Sequence, residues 1–279
     1  MASAEIELYG RKTFFIAPDT SLIPKNYLEE FMFGGYQTYI INDDYACPMQ
    51  SKVREIIKLF PESILFFNID ATIEGIEWKS YIRSLQNETG ENALIGIFYL
   101  AGQNPQREES IKSYYLNELG VKAGCFALSA RDHNNFDSIL KVLEQNNARG
   151  RRNHVRANCD YSSVATFGHK GHDYHADILD VNISYFRCDL HTDTDQIEIF
   201  EKFRDVKFCI NGADFTSDAV LIMKRTMSGK NLCVFMFIKH DDTPDLEKDA
   251  EKCLNQKIYQ IVLNENMEKL QNAFRTAQR

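Results

Sequence analysis

The residues best suited to chemistry in this sequence are the arginines of one short stretch. Arg149-Gly150-Arg151-Arg152-Asn153-His154-Val155-Arg156 holds four arginines within eight residues, although the formal net charge of the chain is -8. The planar guanidinium presents a rigid fork of donors that matches paired acceptors, such as phosphate oxygens or the O6 and N7 atoms of guanine. A solvated basic linker is the other interpretation. Residues elsewhere in the chain are needed to distinguish a linker from a binding site.

A second candidate is the segment Asp180-Val181-Asn182-Ile183-Ser184, which has the alternating pattern of a half-buried strand. A period of two sends Val181 and Ile183 to one face, and it sends Asp180, Asn182 and Ser184 together to the other. Three small polar groups on an outer face can hydrogen-bond a ligand. A solvated strand face also accounts for them.

The first half of the chain alternates short apolar runs with longer amphipathic stretches. Nearly continuous apolar runs are typical of strands buried on both faces of a parallel sheet, and their alternation with helices predicts a doubly wound (βα)5 domain. The predicted strands are Lys12–Pro18, Tyr36–Asn42, Ser63–Ile69, Ala93–Leu100 and Ala123–Ala130. The predicted helices are Ile23–Phe33, Met49–Phe60, Ile73–Asn87, Gln106–Leu119 and Phe136–Gln145.

After Arg156 the pattern changes to strand and turn, which predicts a small six-stranded antiparallel barrel. The predicted strands are Asn158–Phe167, His175–Ser184, Phe186–His191, Asp205–Ile210, Ala219–Met227 and Leu232–Ile238, with a hairpin turn at Ser228-Gly229-Lys230-Asn231. Thr243-Pro244-Asp245 then has the pattern of a helix start. The apolar residues that follow predict a long helix, with a kink expected at Asn264-Glu265-Asn266. This helix is expected either to cover one mouth of the barrel or to mediate a dimer.

The first half resembles the receiver domain of response regulators. The stretches from Ile64 to Gly75 and from Leu119 to Ala130 are similar to the receiver's third and fifth strands with their following loops. Asn68 stands where a receiver has its phosphoacceptor Asp, and Ser129 stands where it has Lys. Only Asp19 follows the first strand, where an acidic pair holds Mg²⁺. The resemblance therefore implies a pseudo-receiver used for docking or signal coupling, unless a shifted alignment makes Asp70 the acceptor.

The arginine stretch and the Asn-Ser segment together resemble the two motifs of the PilZ domain, a receptor for cyclic di-GMP. Arg152 and Arg156 fit R-x-x-x-R, and Asn182-Ile183-Ser184 fits the opening of [D/N]-x-S-x-x-G. The resemblance implies a receiver-like domain over 1–147, an arginine linker over 148–157, and a PilZ barrel with its helix over 158–279. It also implies a bacterial second-messenger receptor acting in motility, adhesion or biofilm control, without catalysis or a cofactor.

By the same resemblance, cyclic di-GMP is bound by six residues: Arg151, Arg152, Arg156, Asn182, Ser184 and Arg187. Arg187 is a departure, because the motif ends in Gly. Its side chain could strain the turn, crowd the ligand or add a cation near the phosphates. The expected function is a receptor in which the nucleotide at the hinge sets the domain arrangement and signals to a protein partner of the α/β domain. The alternative is an interaction scaffold whose degenerate site does not bind the nucleotide.

The sequence disfavours a nucleic-acid-binding, a membrane-spanning, a secreted and a metal-binding protein. The acidic balance argues against nucleic acid as the main partner, and the longest apolar runs are too short to span a bilayer. Seven scattered cysteines and the absence of a signal-peptide pattern indicate a reduced, cytoplasmic protein. His169, His172 and His175 form H-x-x-H-x-x-H, but on a turn entering a strand they need not converge. No metal is therefore expected.

Overall fold

The computed structural model describes residues 4–44, 47–90, 92–102, 104–130, 134–192, 194, 196–227 and 229–278. The chain forms two compact units. Unit 1 comprises residues 1–153 and 266–279, and unit 2 comprises residues 154–265. Among the described residues, no helix has both the length and the apolar character that a bilayer crossing requires.

Unit 1 is an α/β unit with a five-stranded parallel sheet in the order β2-β1-β3-β4-β5, which confirms the predicted doubly wound arrangement. The strands are β1 (Thr13–Ile16), β2 (Thr38–Ile41), β3 (Ser63–Asn68), β4 (Ala93–Leu100) and β5 (Gly124–Leu128). The helices are α1 (Ala4–Tyr9), α2 (Lys25–Phe33), α3 (Met49–Leu59), α4 (Trp78–Thr89), α5 (Pro105–Lys112) and α6 (Asn134–Gln145). All four residues of β1 and all six of β3 are buried, as their apolar runs predict.

Three local features of unit 1 differ from the prediction. Helix α1 was not predicted, because six residues are too few to display a helical stripe. Helix α4 begins at Trp78 rather than Ile73, because the Glu77 carboxylate accepts hydrogen bonds from the amides of Lys79 and Ser80 and so caps the helix there. Helix α5 is α-helical only to Lys112, after which a π-helical turn covers Ser113–Glu118.

Unit 2 contains a closed antiparallel barrel of six strands, β7 to β12, which confirms the predicted architecture. The order is β8-β7-β10-β11-β12-β9, and pairing of β9 with β8 closes the ring. The strands of the unit are β6 (Ala157–Asn158), β7 (Val164–His169), β8 (His172–Val181), β9 (Tyr185–Leu190), β10 (Lys202–Ile210), β11 (Ala213–Met227) and β12 (Lys230–Ile238). Stacked and edge-on phenylalanines fill the interior, among them Phe186, Phe208 and Phe235.

The predicted strand Asn158–Phe167 is wrong in its extent. It is divided into β6 and β7 by a turn in which Asp160 Oδ1 accepts hydrogen bonds from the Ser162 amide, the Ser162 hydroxyl and the Ser163 hydroxyl. A short side chain that bonds the backbone two residues ahead favours such a turn over a continuous strand. Ser228 of the predicted hairpin turn lies outside the described residues.

The C-terminal helix α7 spans Lys248–Ala277. It begins later than Thr243-Pro244-Asp245 predicts, because Pro244 forms an isolated bridge with Ile238 instead of a first helical turn. The expected kink is also wrong in that the helix continues through 264–266 without a break. Buried residues recur every fourth position in its unit 2 part, at Ala250, Leu254, Ile258 and Val262. In its unit 1 part Leu270 is fully buried, and Asn266 Nδ2 donates to the Tyr39 hydroxyl at 2.9 Å.

Candidate functional site

The carboxylate of Asp180 is held by two arginines at one end of the barrel. Arg156 Nη1 lies 2.9 Å from Asp180 Oδ1, and Arg187 Nε lies 2.6 Å from Oδ2. Only 4% of the Asp180 side chain is exposed, against 31% of Arg156 and 46% of Arg187. A buried carboxylate with two charge-assisted partners therefore fixes one edge of each guanidinium and leaves the rest of each fork accessible.

Strand pairing explains why these three residues meet. Ala157 in β6 pairs with Val181 at the end of β8, so Arg156 enters the barrel beside the segment that carries Asp180. On the other side of β8, Asp180 lies directly opposite Arg187 in β9. The register shifts between Ile178 and Asp180, where two steps along β8 match one step along β9. A bulge of this kind re-aims side chains.

The predicted strand through Ser184 is too long, and only its Asp180–Val181 part alternates as expected: Val181 is fully buried opposite the buried Phe186, and Asp180 lies opposite the exposed Arg187. Strand β8 stops at Val181, and Asp180 and Asn182 are covered rather than solvent-exposed, with 3% and 7% of their surface exposed. Ile183 is half-buried and lies outside the strand, whereas the prediction put it in the barrel core. Directly opposed residues share a face, so the bulge places Asp180 on the face of Arg187 and not on that of the buried Ile178.

Asn182 is the acceptor that builds the β8–β9 turn. Its Oδ1 accepts hydrogen bonds from the amides of Ser184 at 2.8 Å and Tyr185 at 2.7 Å, and its own amide donates to the Tyr185 carbonyl at 2.9 Å. Ser184 is half-buried, and its carbonyl accepts from the Phe237 amide at 2.9 Å. Asn182 and Arg156 each lie one residue beyond the Ala157–Val181 pair, so the turn and the arginine belong to the same end of the barrel.

Arg187 is an ordinary strand residue. It pairs with Val234 of β12 and does not have a positive φ. Because the left-handed region is where glycine is favoured, Arg at this position of the motif causes no backbone strain. Of the three consequences that the sequence left open, strain is excluded. Two consequences stay open, because the guanidinium of Arg187 is exposed. It can crowd the ligand, or it can add a cation near the ligand's phosphates.

Arg151 and Arg152 belong to unit 1, because the division between the units falls after Asn153. Their backbone amides cap helix α1: Arg151 N donates to Glu7 O at 2.9 Å and Arg152 N to Leu8 O at 3.3 Å. The Arg152 guanidinium lies 4.5 Å over the Tyr9 ring, and Arg151 is exposed. Helix α1 therefore holds the start of the motif in a defined conformation.

Two glycines make that contact possible. Gly10 has φ +81°, and a Cβ there would lie 2.4 Å from the Ala148 carbonyl oxygen. A Cβ on Gly150 would lie 2.5 Å from the Gly10 amide nitrogen. Backbone meets backbone at this point, and only glycine allows such an approach. Gly10 immediately after a short amphipathic run was the signal from which α1 could have been predicted.

Both motif arginines keep unused donors within the described part of the chain. Arg152 Nη1 and Arg156 Nε are buried atoms without a hydrogen-bond partner there. Arg11 Nε and Arg107 Nη1 in unit 1 are unpaired in the same way, so an unpaired guanidinium nitrogen does not by itself mark a ligand site.

The carboxyl ends of the unit 1 strands carry amides and ion pairs. Asn68 is buried, its Nδ2 donates to the Ala17 carbonyl at 3.0 Å, and its Oδ1 accepts from the Asp70 amide at 3.2 Å. Asp70 forms an ion pair with Arg107 and accepts from the Leu100 amide at 2.6 Å. The Asp70 carboxylate is thus already engaged, and Asn68 serves as a structural link between strand ends.

The three histidines of H-x-x-H-x-x-H separate in the structure. His169 Nε2 lies 2.7 Å from Glu201 Oε1, and His172 is exposed opposite His169 in the β7–β8 pair. His175 is on the other part of β8, beside Asp177 and His191. Only this last group, among the described residues, brings three candidate metal ligands together.

Several solved structures are similar to part of this chain. The PilZ domain of YcgR from Escherichia coli with c-di-GMP matches at 15% identity and a TM-score of 0.36, over 43% of this chain and 98% of that one. The MrkH–c-di-GMP complex of K. pneumonia matches at 14% identity and a TM-score of 0.36, over 42% of this chain and 54% of that one. The Bacillus subtilis inhibitor of motility, MotI/DgrA, matches at 13% identity and a TM-score of 0.34, over 41% and 52%. The match thus spans about half the length of MrkH and of MotI/DgrA. No protein-family profile and no curated protein matches the chain.

Proposed function

We propose that this protein is a PilZ-type receptor for cyclic di-GMP. The observation that carries the proposal is the barrel end itself, where Arg156 of R-x-x-x-R is fixed by Asp180 beside the turn that Asn182 builds. Two sequence motifs that are far apart along the chain are thereby joined at one strand end. The ligand is a dinucleotide with two phosphates and two guanines, which suits a cluster of partly exposed guanidinium groups.

The roles follow from the donors that remain. The Arg156 side chain is 31% exposed, so the part of its guanidinium that Asp180 does not hold can meet a phosphate or guanine acceptor. Ser184 offers a hydroxyl at the adjacent turn. Arg151 is exposed, and Arg152 combines an unpaired Nη1 with a guanidinium face already stacked on Tyr9. We infer that Arg152 and Arg156 clamp the ligand and that Arg151 assists electrostatically.

We infer that ligand binding changes the conformation of the linker between the two units, and that this change is the signal. Arg152 belongs to unit 1 and Arg156 to unit 2, so a ligand that binds both fixes the chain between the two units. A ligand shifts a conformational equilibrium only by its differential affinity for the two states, which this arrangement would supply. The α/β unit, with Asn68 at the phosphoacceptor position, then serves as the docking module for a protein partner.

Calorimetric titration with cyclic di-GMP tests the proposal. We expect saturable binding to the wild type and loss of at least about 100-fold in affinity for Arg152→Ala/Arg156→Ala, because each charge-assisted pair is worth about 1.5–3 kcal/mol. Arg204→Ala is the matched control, since Arg204 Nη1 pairs with the buried Asp218 at 2.7 Å elsewhere in the same barrel. Absence of binding to the wild type would refute the ligand, and undiminished binding by the double variant would refute the site.

A scaffold that does not bind the nucleotide is the alternative, and Arg187 is the residue through which it can be tested. Its guanidinium occupies the Asp180 carboxylate from the position where the motif has glycine. If Arg187 blocks the site, Arg187→Gly binds cyclic di-GMP and the wild type does not. If Arg187 contributes a cation, the same substitution weakens binding.

A further inference from the structure

Three potential metal ligands converge on the outer surface of the barrel, and none of them belongs to either sequence motif. They are His175 and Asp177 of β8 and His191, which directly follows β9. Their ligating atoms all lie within 4.8 Å of one another. His191 Nε2 is 2.8 Å from Asp177 Oδ2, His175 Nε2 is 3.8 Å from Asp177 Oδ1, and the two imidazole centroids are 5.1 Å apart.

The sheet itself enforces this convergence. His175 and Asp177 are two residues apart on one strand, so they share a face. Strand β9 pairs antiparallel with β8 through Ala176↔Leu190, and the ladder continues one step further as the His191 amide donates to the His175 carbonyl at 3.0 Å. Directly opposed residues of an antiparallel pair also share a face. The ligand set therefore rests on paired strands rather than on a loop, which keeps its geometry close to fixed.

We propose that His175, Asp177 and His191 form a site for a divalent transition-metal ion of the zinc class. Two imidazole nitrogens and one carboxylate oxygen suit Zn²⁺, Ni²⁺ or Co²⁺, whereas Mg²⁺ and Ca²⁺ prefer sites made of oxygen alone. With metal–ligand bonds of about 2.0–2.2 Å, tetrahedral donors lie roughly 3.3 Å apart. The imidazole–carboxylate separations of 2.8 Å to Oδ2 and 3.8 Å to Oδ1 lie on either side of that value, and the three donor atoms, which lie within 4.8 Å of one another, would close on the ion by rotation of their side chains.

The site would keep an open coordination position. Three protein ligands leave at least one position of a tetrahedral ion for water or an exogenous group. All three side chains are about half exposed, at 47%, 44% and 49%, so an ion can load after the barrel has folded. The proposal does not depend on nucleotide binding, since none of the three residues belongs to either motif.

The chain supplies its own control in His240. His240 Nδ1 lies 3.1 Å from Asp218 Oδ2, which is an imidazole–carboxylate pair like that of His191 and Asp177. Asp218 is also bound to Arg204 at 2.7 Å, and no second imidazole joins the pair within the described residues. A histidine–aspartate pair alone thus exists in the same barrel without a third ligand.

The test is calorimetric titration of the full, untagged chain with Zn²⁺, alongside His191→Ala, Asp177→Asn and His240→Ala. We expect one Zn²⁺ per wild-type chain, at least about tenfold weaker binding for either substitution in the cluster, and unchanged binding for His240→Ala. Even outer hydrogen-bond partners of metal ligands contribute about 10- to 100-fold to affinity. Mg²⁺ is expected not to bind.

Two further measurements distinguish loss of the metal site from loss of the fold. Because the substituted side chains are half exposed, both variants should retain the circular dichroism spectrum of the wild type. Visible absorption of added Co²⁺ should appear with the wild type and disappear with His191→Ala. Equal Zn²⁺ affinity in the wild type and His191→Ala, or no binding to the wild type, would overturn the proposal and leave an ordinary surface hydrogen bond between the His191 imidazole and the Asp177 carboxylate.

Discussion

Asp180 and Arg187 lie directly opposite each other on β8 and β9, with Arg187 Nε 2.6 Å from Asp180 Oδ2. The carboxylate is buried and the guanidinium is half exposed, so loss of the ion pair costs Asp180 more free energy than it costs Arg187. Arg187 can be hydrated without its partner, whereas the Asp180 carboxylate, of which only 4% is exposed, cannot replace its two arginine partners with water without rearrangement. This asymmetry makes the cluster testable through stability as well as through ligand binding.

We expect Arg156→Ala/Arg187→Ala to lower the free energy of unfolding by up to about 3 kcal/mol, because it leaves the buried Asp180 carboxylate without a cation. Adding Asp180→Ala to that pair should recover a large part of the loss, since the uncompensated charge is then gone. Urea unfolding of the double and triple variants measures this coupling. A triple variant that is less stable than the double variant would contradict the assignment of Asp180 as the buried anion of the cluster.

Asn182→Ala should cost roughly 1–2 kcal/mol of stability, since two backbone amides lose the acceptor that fixes the β8–β9 turn. Asn182→Asp should cost much less, because a carboxylate oxygen can accept the same two bonds. Thermal and urea unfolding distinguish the two substitutions. The same reasoning gives a physical account of a motif that accepts either Asp or Asn at this position. Equal stability of the Ala variant and the wild type would show that the turn does not need the side chain.

Gly10→Ala should destabilise unit 1 more than Gly120→Ala does. Both residues have positive φ, but a Cβ at Gly10 meets backbone at 2.4 Å, whereas a Cβ at Gly120 meets nothing within 4 Å. Gly120→Ala is therefore destabilised only by the strained backbone conformation, by about 1 kcal/mol. Gly10→Ala has a further steric cost of about 1–3 kcal/mol. Unfolding measurements on the two variants give the difference directly. Equal effects would mean that α1 does not pack on residues 148–151 as closely as the structure has it.

The barrel should lose stability in acid partly through Glu201. Burial raises the pKa of its carboxyl, but hydrogen bonds from Lys170, the Glu198 amide and His169 outweigh burial and lower the pKa to about 2. An unfolded Glu has a pKa of about 4.3, so this contribution is complete above that pH and is lost as the pH falls towards 2. Glu201→Gln should therefore flatten the decline in stability over this window. Glu198→Gln, an exposed neighbour, is the control and should leave the decline unchanged.

The helices and strands could be predicted from the sequence where a single physical rule determines them. Apolar runs such as Ser63–Asn68 are buried throughout, and their spacing with helices gave the parallel sheet. The site was less predictable because it depends on pairing rather than on local pattern. Asp180 is polar in an alternating segment, and only the pairing of β8 with β6 and β9 brings Arg156 and Arg187 to its carboxylate. The cluster of His175, Asp177 and His191 has ligands from two strands, so a motif read along one segment could not reveal it.

Helix α7 gives the chain an order of assembly. Its first part belongs to unit 2, while residues 266–277 belong to unit 1, where Leu270 is buried and Asn266 bonds Tyr39. In sequence terms the barrel is an insertion within the α/β unit. During synthesis the barrel's strands are complete before the last turns of α7 exist, whereas the α/β unit must wait for the C-terminal residues before its own core is closed. Neither a fragment ending at 153 nor one beginning at 154 contains one whole unit and nothing else.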